Sequence, residues 1–304
     1  MRFLLIAAIL SLVAPAPLCA DAPLDSVVAS NYPSDLHDFV VSHHLREKKQ
    51  QAYASVSSQG IDYIVAAYSN GHIGAVVLLE KSGAGYVVDD EKSRPIAGCD
   101  PVIEMMDLDR DGIPEAIARF DTGKGGSQTW IYRINRKALQ IISPTNRFGG
   151  TELLFPDIVD IAGDGTKDIV EDHIFGSRDN PTVRHDHYVL RNGVFVVAEP
   201  LDFYQVFYRS KDKPVAETAS FSIPQAGVGS SFKLTVINGA SSTSDFRVAS
   251  GTVTMNGVIV SPPSDFSESR SAWTIPVTLQ QDNTITVKVD GKPRGRIAIA
   301  IRHD

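Results

Sequence analysis

Three glycines, Gly60, Gly112 and Gly165, stand 52 and 53 residues apart and mark one unit written three times. Around each marker the same order recurs: a short apolar strand, a polar loop closed by the glycine, and a second apolar strand. The strand–loop–strand cores are Ala52 to Ala66, Ile103 to Ala118 and Pro156 to Val170. Each core continues into alternating apolar and polar residues with turn residues between them: Gly74 to Leu79 with Tyr86 to Val88, Thr129 to Ile134 with Leu139 to Ile142, and His187 to Leu190 with Val194 to Val197. That alternation, with Gly or Asn at the turn, is the hairpin pattern. Each unit therefore carries four strands, which fits a propeller blade or a related β array. Three blades fall below the usual minimum of about four. Such an array stays open, pairs with another chain, or packs on the flanking segments.

The loop of the second copy reads Asp107-x-Asp109-x-Asp111-Gly112-Ile113-x-Glu115. Alternate carboxylates on a tightly curled loop converge on one point and repel one another unless a hard cation sits there. Gly112 permits the sharp turn, the Ile113 carbonyl can face inward, and Glu115 adds a ligand directly or through water. An EF-hand is excluded. Its twelfth position is Ala118 where a bidentate Glu is needed, and strands flank the loop instead of helices.

Residues 103–120 and 156–172 resemble the calcium-loop repeats of FG-GAP or VCBS type, found in integrin-like propellers and many secreted bacterial proteins. Their pattern is Asp-x-Asp/Asn-x-Asp-Gly-x-x-Asp between apolar strands. The second copy matches it with Glu115 in the last place. The third matches at Asp160, Asp164, Gly165 and Asp168, with Ala162 in a ligand position. The first keeps only Gly60, and Ser55, Ser57 and Gln59 replace the acids. The resemblance implies calcium as the cofactor, held by Asp107, Asp109, Asp111, Ile113 and Glu115, with a second set at Asp160, Asp164, Thr166 and Asp168. It identifies a metal-bearing turn and leaves the biological role open.

Beyond Val197 the repeats stop. Residues 199–219 contain Pro200, a Lys/Asp cluster at 211–213 and Pro214, and read as a linker. Residues 220–304 are short alternating strands with turns at Asn238-Gly239, Asn256-Gly257 and Asp290-Gly291. About seven strands in such a span predict an immunoglobulin-like sandwich. The stretch is similar to small β-sandwich modules appended to secreted bacterial proteins. It shares with them the first two of those turns, Pro263-x-Asp265-Phe266 and the closing Ile297-x-Ile299-x-Ile301 strand, and it lacks the Cys–Trp–Cys core of antibody domains. The expected fold class is thus mainly β: three propeller-blade-like antiparallel repeats over 51–198 and an immunoglobulin-like β-sandwich over 220–304. A partly helical segment, 21–50, precedes them, with a helix from Ser34 to Lys49.

Residues 1–20 read as a secretory signal: Arg2, the apolar run Phe3 to Val13, then Leu18-Cys19-Ala20 before Asp21. The run is too short to cross a bilayer, which needs about 20 residues, and no later run is longer. The chain is therefore expected to be exported to the periplasm or the extracellular space without a membrane span. The sequence before Cys19 makes a poor lipid-attachment motif. Removing the signal takes away one basic side chain and moves the formal net charge from −7 to −8. That balance disfavours nucleic acid and anionic lipid, which reward clustered Lys and Arg, and suits a protein that binds cations. Cys99 is then the one remaining thiol, so no internal disulfide forms.

Other chemistry is thinly represented. His185-Asp186-His187 has a strand spacing zinc accepts, with Asp172-His173 nearby, but no third ligand is set by spacing. His43-His44 precedes a basic run and reads as a solvated segment. Gly123-Lys124-Gly125-Gly126-Ser127 lacks phosphate-loop spacing. No Gly-x-Ser-x-Gly elbow or His-Glu-x-x-His occurs. These features lead to the expectation of a calcium-stabilised binding, adhesion or scaffold protein with a protein or glycan ligand at the cell envelope. The alternative is a polysaccharide-active hydrolase or lyase that uses paired carboxylates of the β array. The oligomeric state stays open.

Overall fold

The computed structural model describes residues 27–28, 30–33, 36, 50–83, 85–96, 100–121, 127–145, 151, 153–154, 156–177, 180–198, 200–209, 213–239, 246–291 and 295–303, by backbone alone at 50, 127, 154, 172–177 and 180–184. The signal segment, Cys99, His43-His44, Gly123 to Gly126, and all of the Ser34–Lys49 helix except Leu36 lie outside them. Among the described residues the chain is mainly β, in five antiparallel sheets. Sheet one is the meander β1 (Gln50–Ser58), β2 (Ile61–Ser69), β3 (Ile73–Ser82) and β4 (Gly85–Pro95). Sheet two runs β5 (Asp100–Met106), β6 (Glu115–Asp121), β7 (Ser127–Asn135) and β8 (Ala138–Ile141), with β9 (Leu153–Leu154) also paired to β7. Sheet three runs β10 (Asp157–Val159), β11 (Asp168–Ser177), β12 (Asn180–Arg191) and β13 (Val194–Val197). Each repeat is thus a four-stranded meander of the blade type.

The sheets stack face to face in chain order, and side-chain alternation shows how. On β2, Tyr63, Val65 and Ala67 join a core shared with Ala116, Ala118, Phe120, Trp130 and Tyr132 of sheet two. The intervening Ile64, Ala66 and Tyr68 form a second core with Val28 and Leu36. The Tyr68 hydroxyl also donates to the Val28 carbonyl. Sheet two turns Ile117 and Ile131 the other way, onto Ile158, Ile169 and Tyr188 of sheet three. A strand buried on both faces must be apolar at every position, and Tyr63 to Tyr68 read that way. Each such Val, Leu or Ile contributes about 1.5–3 kcal/mol of burial.

One hydrogen bond ties sheet one to sheet two at their outer strands. The Leu139 N–H donates to Asp90 Oδ2 at 2.7 Å. Burial works against the Asp90 charge, but bonds from Lys92 and from the Leu139 and Glu91 amides outweigh it and hold the carboxyl below its ordinary pKa. A depressed folded pKa means that this stability is present above the unfolded value, about 3.9, and is lost as pH falls through the folded one. Asp90→Asn is therefore expected to flatten the acid limb: its denaturant midpoint should fall less than that of the wild type from about pH 5 to about pH 2. Parallel acid limbs for the two proteins would show that the bond contributes nothing.

The C-terminal sandwich starts earlier than expected. The segment read as a linker carries β14 (Phe203–Tyr208) and the first half of β15 (Ala216–Ser222). The Pro200 and Pro214 punctuation is real, but between them Phe203 and Phe207 enter the sandwich core while Tyr204 faces outward. The remaining strands are β16 (Ser231–Asn238), β17 (Ser250–Met255), β18 (Val258–Ser261), β19 (Ala272–Thr278), β20 (Asp282–Asp290) and β21 (Arg296–His303). One sheet has the order β14-β21-β16-β19 and the other β15-β20-β17-β18. A two-sheet sandwich was expected and is present. Its eight strands, however, follow the double Greek-key order of a jelly roll and not the seven-strand order of immunoglobulin domains. The difference comes from β14, which adds an eighth strand and pairs with the last one.

β21 shows why its alternate residues differ in size. Ile297, Ile299 and Ile301 fill the sandwich core. Ala298 and Ala300 face out onto Val159 and Val170 of sheet three and Ile161 of the loop between its first two strands. The ends of the three-sheet stack are therefore covered by flanking segments: Val28 and Leu36 at one end, the jelly roll at the other.

Candidate functional site

The three loops closed by the marker glycines fold differently. In copy one β1 and β2 meet in a two-residue turn. Gln59 and Gly60 have φ of 53° and 78°, the type I′ geometry that matches strand twist. No acidic loop remains there. In copies two and three the turn is expanded to a curled loop between the first and second strands, and both loops share one anchor. The Leu108 N–H donates to Glu115 Oε2 at 3.0 Å. The Ile161 N–H donates to Asp168 Oδ2 at 2.9 Å. In each, the last acid of the motif reaches back seven residues to fasten the loop's start.

Loop two brings Asp107, Asp109 and Glu115 together, with one carboxylate oxygen from each within 4.8 Å of the others. Asp107 Oδ2 accepts the Gly112 N–H at 3.0 Å, across a turn in which Gly112 takes φ 84°, a region costly for any residue with a Cβ. Asp107 Oδ1 is buried and has no hydrogen-bond partner. Asp111 stands apart from this group: it is exposed and accepts the Ile113 N–H at 2.7 Å. Ile113 enters the loop's hydrogen bonding through that amide.

One participant has no place in the loop motif. Arg133, on β7, brings its Nη2 to 2.5 Å from Glu115 Oε1 and 2.6 Å from Asp109 Oδ2. Its Nε donates to Glu115 Oε1 at 2.8 Å. Glu115 is fully buried, and burial pushes its carboxyl pKa up despite the Leu108 amide and Arg133. Burial opposes the Arg133 charge, but its bonds to Glu115 and Asp109 prevail and raise its pKa further. The only signal that points to Arg133 is strand register. Ala116 pairs with Tyr132, so the next position on β7 lies beside Glu115.

Loop three is arranged inwardly. Asp160 Oδ1 accepts the amides of Gly163 and Asp164 at 2.5 and 3.1 Å, and its Oδ2 accepts that of Gly165 at 2.7 Å. Asp164 Oδ1 accepts the Thr166 N–H at 2.8 Å. Asp168 Oδ1 lies 3.6 Å from His187 Nε2. The four candidates of this copy thus hold their own backbone, and the structure does not gather them around a common point as it does in loop two. The two loops touch: Arg110 Nη1 donates to the Asp164 carbonyl at 2.5 Å, and the Lys167 N–H to the Leu108 carbonyl at 2.8 Å. Of the zinc-spaced pair, His187 faces Asp168, and the His185 ring packs on Tyr204 at 4.5 Å between centroids.

No family model matches the chain, and no curated protein matches it. Among solved structures it is similar to an exo-β-1,3-galactanase from Phanerochaete chrysosporium, with 13% identity over 83% of this chain and 68% of that one, at a TM-score of 0.26. A GH32 β-fructofuranosidase from Bombyx mori gives 9% identity over 83% and 65%, at a TM-score of 0.24. An M60 catalytic domain with CBM51 domains from Clostridium perfringens gives 10% over 90% and 32%, at 0.25. At TM-scores this low the likeness carries no functional weight. Among the described residues no helix is long and apolar enough to cross a membrane.

Proposed function

We propose that the chain is an exported, calcium-stabilised binding or scaffold protein of the FG-GAP/VCBS-repeat kind, with one structural calcium in loop two. The observation that carries this reading is the convergence of Asp107, Asp109 and Glu115, together with a buried Asp107 Oδ1 that no hydrogen bond satisfies. An orphaned carboxylate oxygen beside two others is the donor set a hard cation takes. Charge points the same way. The gathered carboxylates of Asp107, Asp109 and Glu115 stand against the guanidinium of Arg133. Two negative charges are left over, the complement of a divalent ion. When bound, calcium supplies cross-linking of the loop, and Asp107, Asp109 and Glu115 are the residues that hold it.

The scaffold half of the reading draws on the stacking. Successive sheets bury their faces against each other, which leaves their outer strands at the surface. Several of these carry exposed apolar residues, such as Val197 on β13 and Ile259 on β18, a usual device for partner contact. Melting in EDTA and in calcium tests the metal. At calcium about tenfold above its dissociation constant the expected gain is about 1.4 kcal/mol. Identical melting in the two conditions contradicts it.

A further inference from the structure

Between loop three and the outer face of β19 lies a cavity of about 330 Å³, at the seam between the third sheet and the jelly roll. That is within the size range of small-molecule sites, which favour domain junctions. Ile158, Val159 and Ala272 give it apolar walls, and Asp160, Lys167 and Thr274 line it as well. We propose that this cavity binds a sugar acid, a small ring bearing several hydroxyls and one carboxylate. The proposal goes beyond the calcium reading and does not depend on metal in loop two.

The ligand's chemistry follows from what each polar group still needs. The Lys167 backbone N–H is fixed on the Leu108 carbonyl, but its ammonium makes no ion pair or hydrogen bond among the described residues. An ammonium at a half-apolar cavity calls for an anion. Thr235 Oγ1 donates to the Ile161 carbonyl at 3.2 Å, so its single proton is taken. In the 3.2 Å Thr235–Thr274 pair the proton must then come from Thr274, which leaves the Thr274 oxygen as an acceptor. Asp160 is also an acceptor. It already takes three loop amides, which leaves about one acceptor site for a hydroxyl. One cationic donor and two acceptors over apolar walls thus match a carboxylate, ring hydroxyls and C–H faces. A zwitterionic amino acid fits less well, because its ammonium would have to compete for Asp160.

Calorimetric titration of the full chain with glucuronate, glucose and glutamate tests this. Glucuronate should bind, and glucose and glutamate should bind at least about tenfold more weakly. Lys167→Met should weaken glucuronate at least about tenfold while melting as the wild type does, since the ammonium supports nothing in the fold. Lys167→Arg should restore binding. Thr274→Val should weaken it severalfold, and it carries the test should Lys167→Met misfold. No glucuronate binding, equal binding of glucose, tighter binding of glutamate, or variants indistinguishable from wild type would each overturn the proposal.

Discussion

Arg296→Met is expected to destabilise the folded chain by about 3–5 kcal/mol, the largest single effect the structure points to. Arg296 sits on the last strand of the jelly roll and reaches 139 residues back to Asp157 of sheet three, with Nη2 2.6 Å from Oδ2. Asp157 is 1% exposed. Its Oδ2 also accepts the Tyr204 hydroxyl, while its Oδ1 has no hydrogen-bond partner. Burial opposes the Arg296 charge, but Asp157 and the neighbouring tyrosines raise its pKa well above the ordinary value. Removing the guanidinium leaves a buried carboxylate with the Tyr204 hydroxyl as its hydrogen-bond donor and only the charge of Arg119, which makes no hydrogen bond to it, in range. Breaking one side of a buried pair costs far more than replacing both. The double variant Asp157→Leu/Arg296→Met should therefore cost less than the sum of the single changes. Chemical denaturation of the four proteins checks this. A single variant within about 0.5 kcal/mol of wild type, the ordinary spread for an unimportant surface change, would mean that the pair does not hold the jelly roll to the stack.

Glu115→Ala is expected to cost about 3 kcal/mol even in EDTA. The change strands the Leu108 N–H inside the core and leaves Arg133 with only Asp109. Glu115→Gln keeps an acceptor for Leu108 and should cost less. Unfolding in the presence of chelator separates this structural role from any contribution of metal. If Glu115→Ala unfolds with wild type under chelator, the anchoring described for loop two is wrong.

Much of the fold was legible in the sequence because its signals are local. The Gly60, Gly112 and Gly165 spacing marked the three meanders, and the alternation from Phe232 to Ile301 marked the sandwich strands. The strand order of the sandwich was not legible. Whether β14 pairs with β21 or hangs as linker depends on a partner about ninety residues away, and two prolines in the same stretch favoured the linker. In loop two, Asp107, Asp109 and Glu115 stood out because their spacing is itself the chemistry. Arg133 did not, since only strand register brings it beside Glu115. Asp160 differs from Asp107. It has the right type and place for a metal ligand, and the loop turns it onto its own amides.

The proposed calcium ion belongs to loop two alone. Calorimetric calcium titration of the wild type beside Asp107→Asn tests it most directly, because asparagine keeps an oxygen for the Gly112 amide and removes only the charge at the orphaned position. A single calcium site is expected in the wild type and none in Asp107→Asn, with both proteins folded. A wild type that takes up no calcium, or a variant that takes it up as well as its parent, would contradict it.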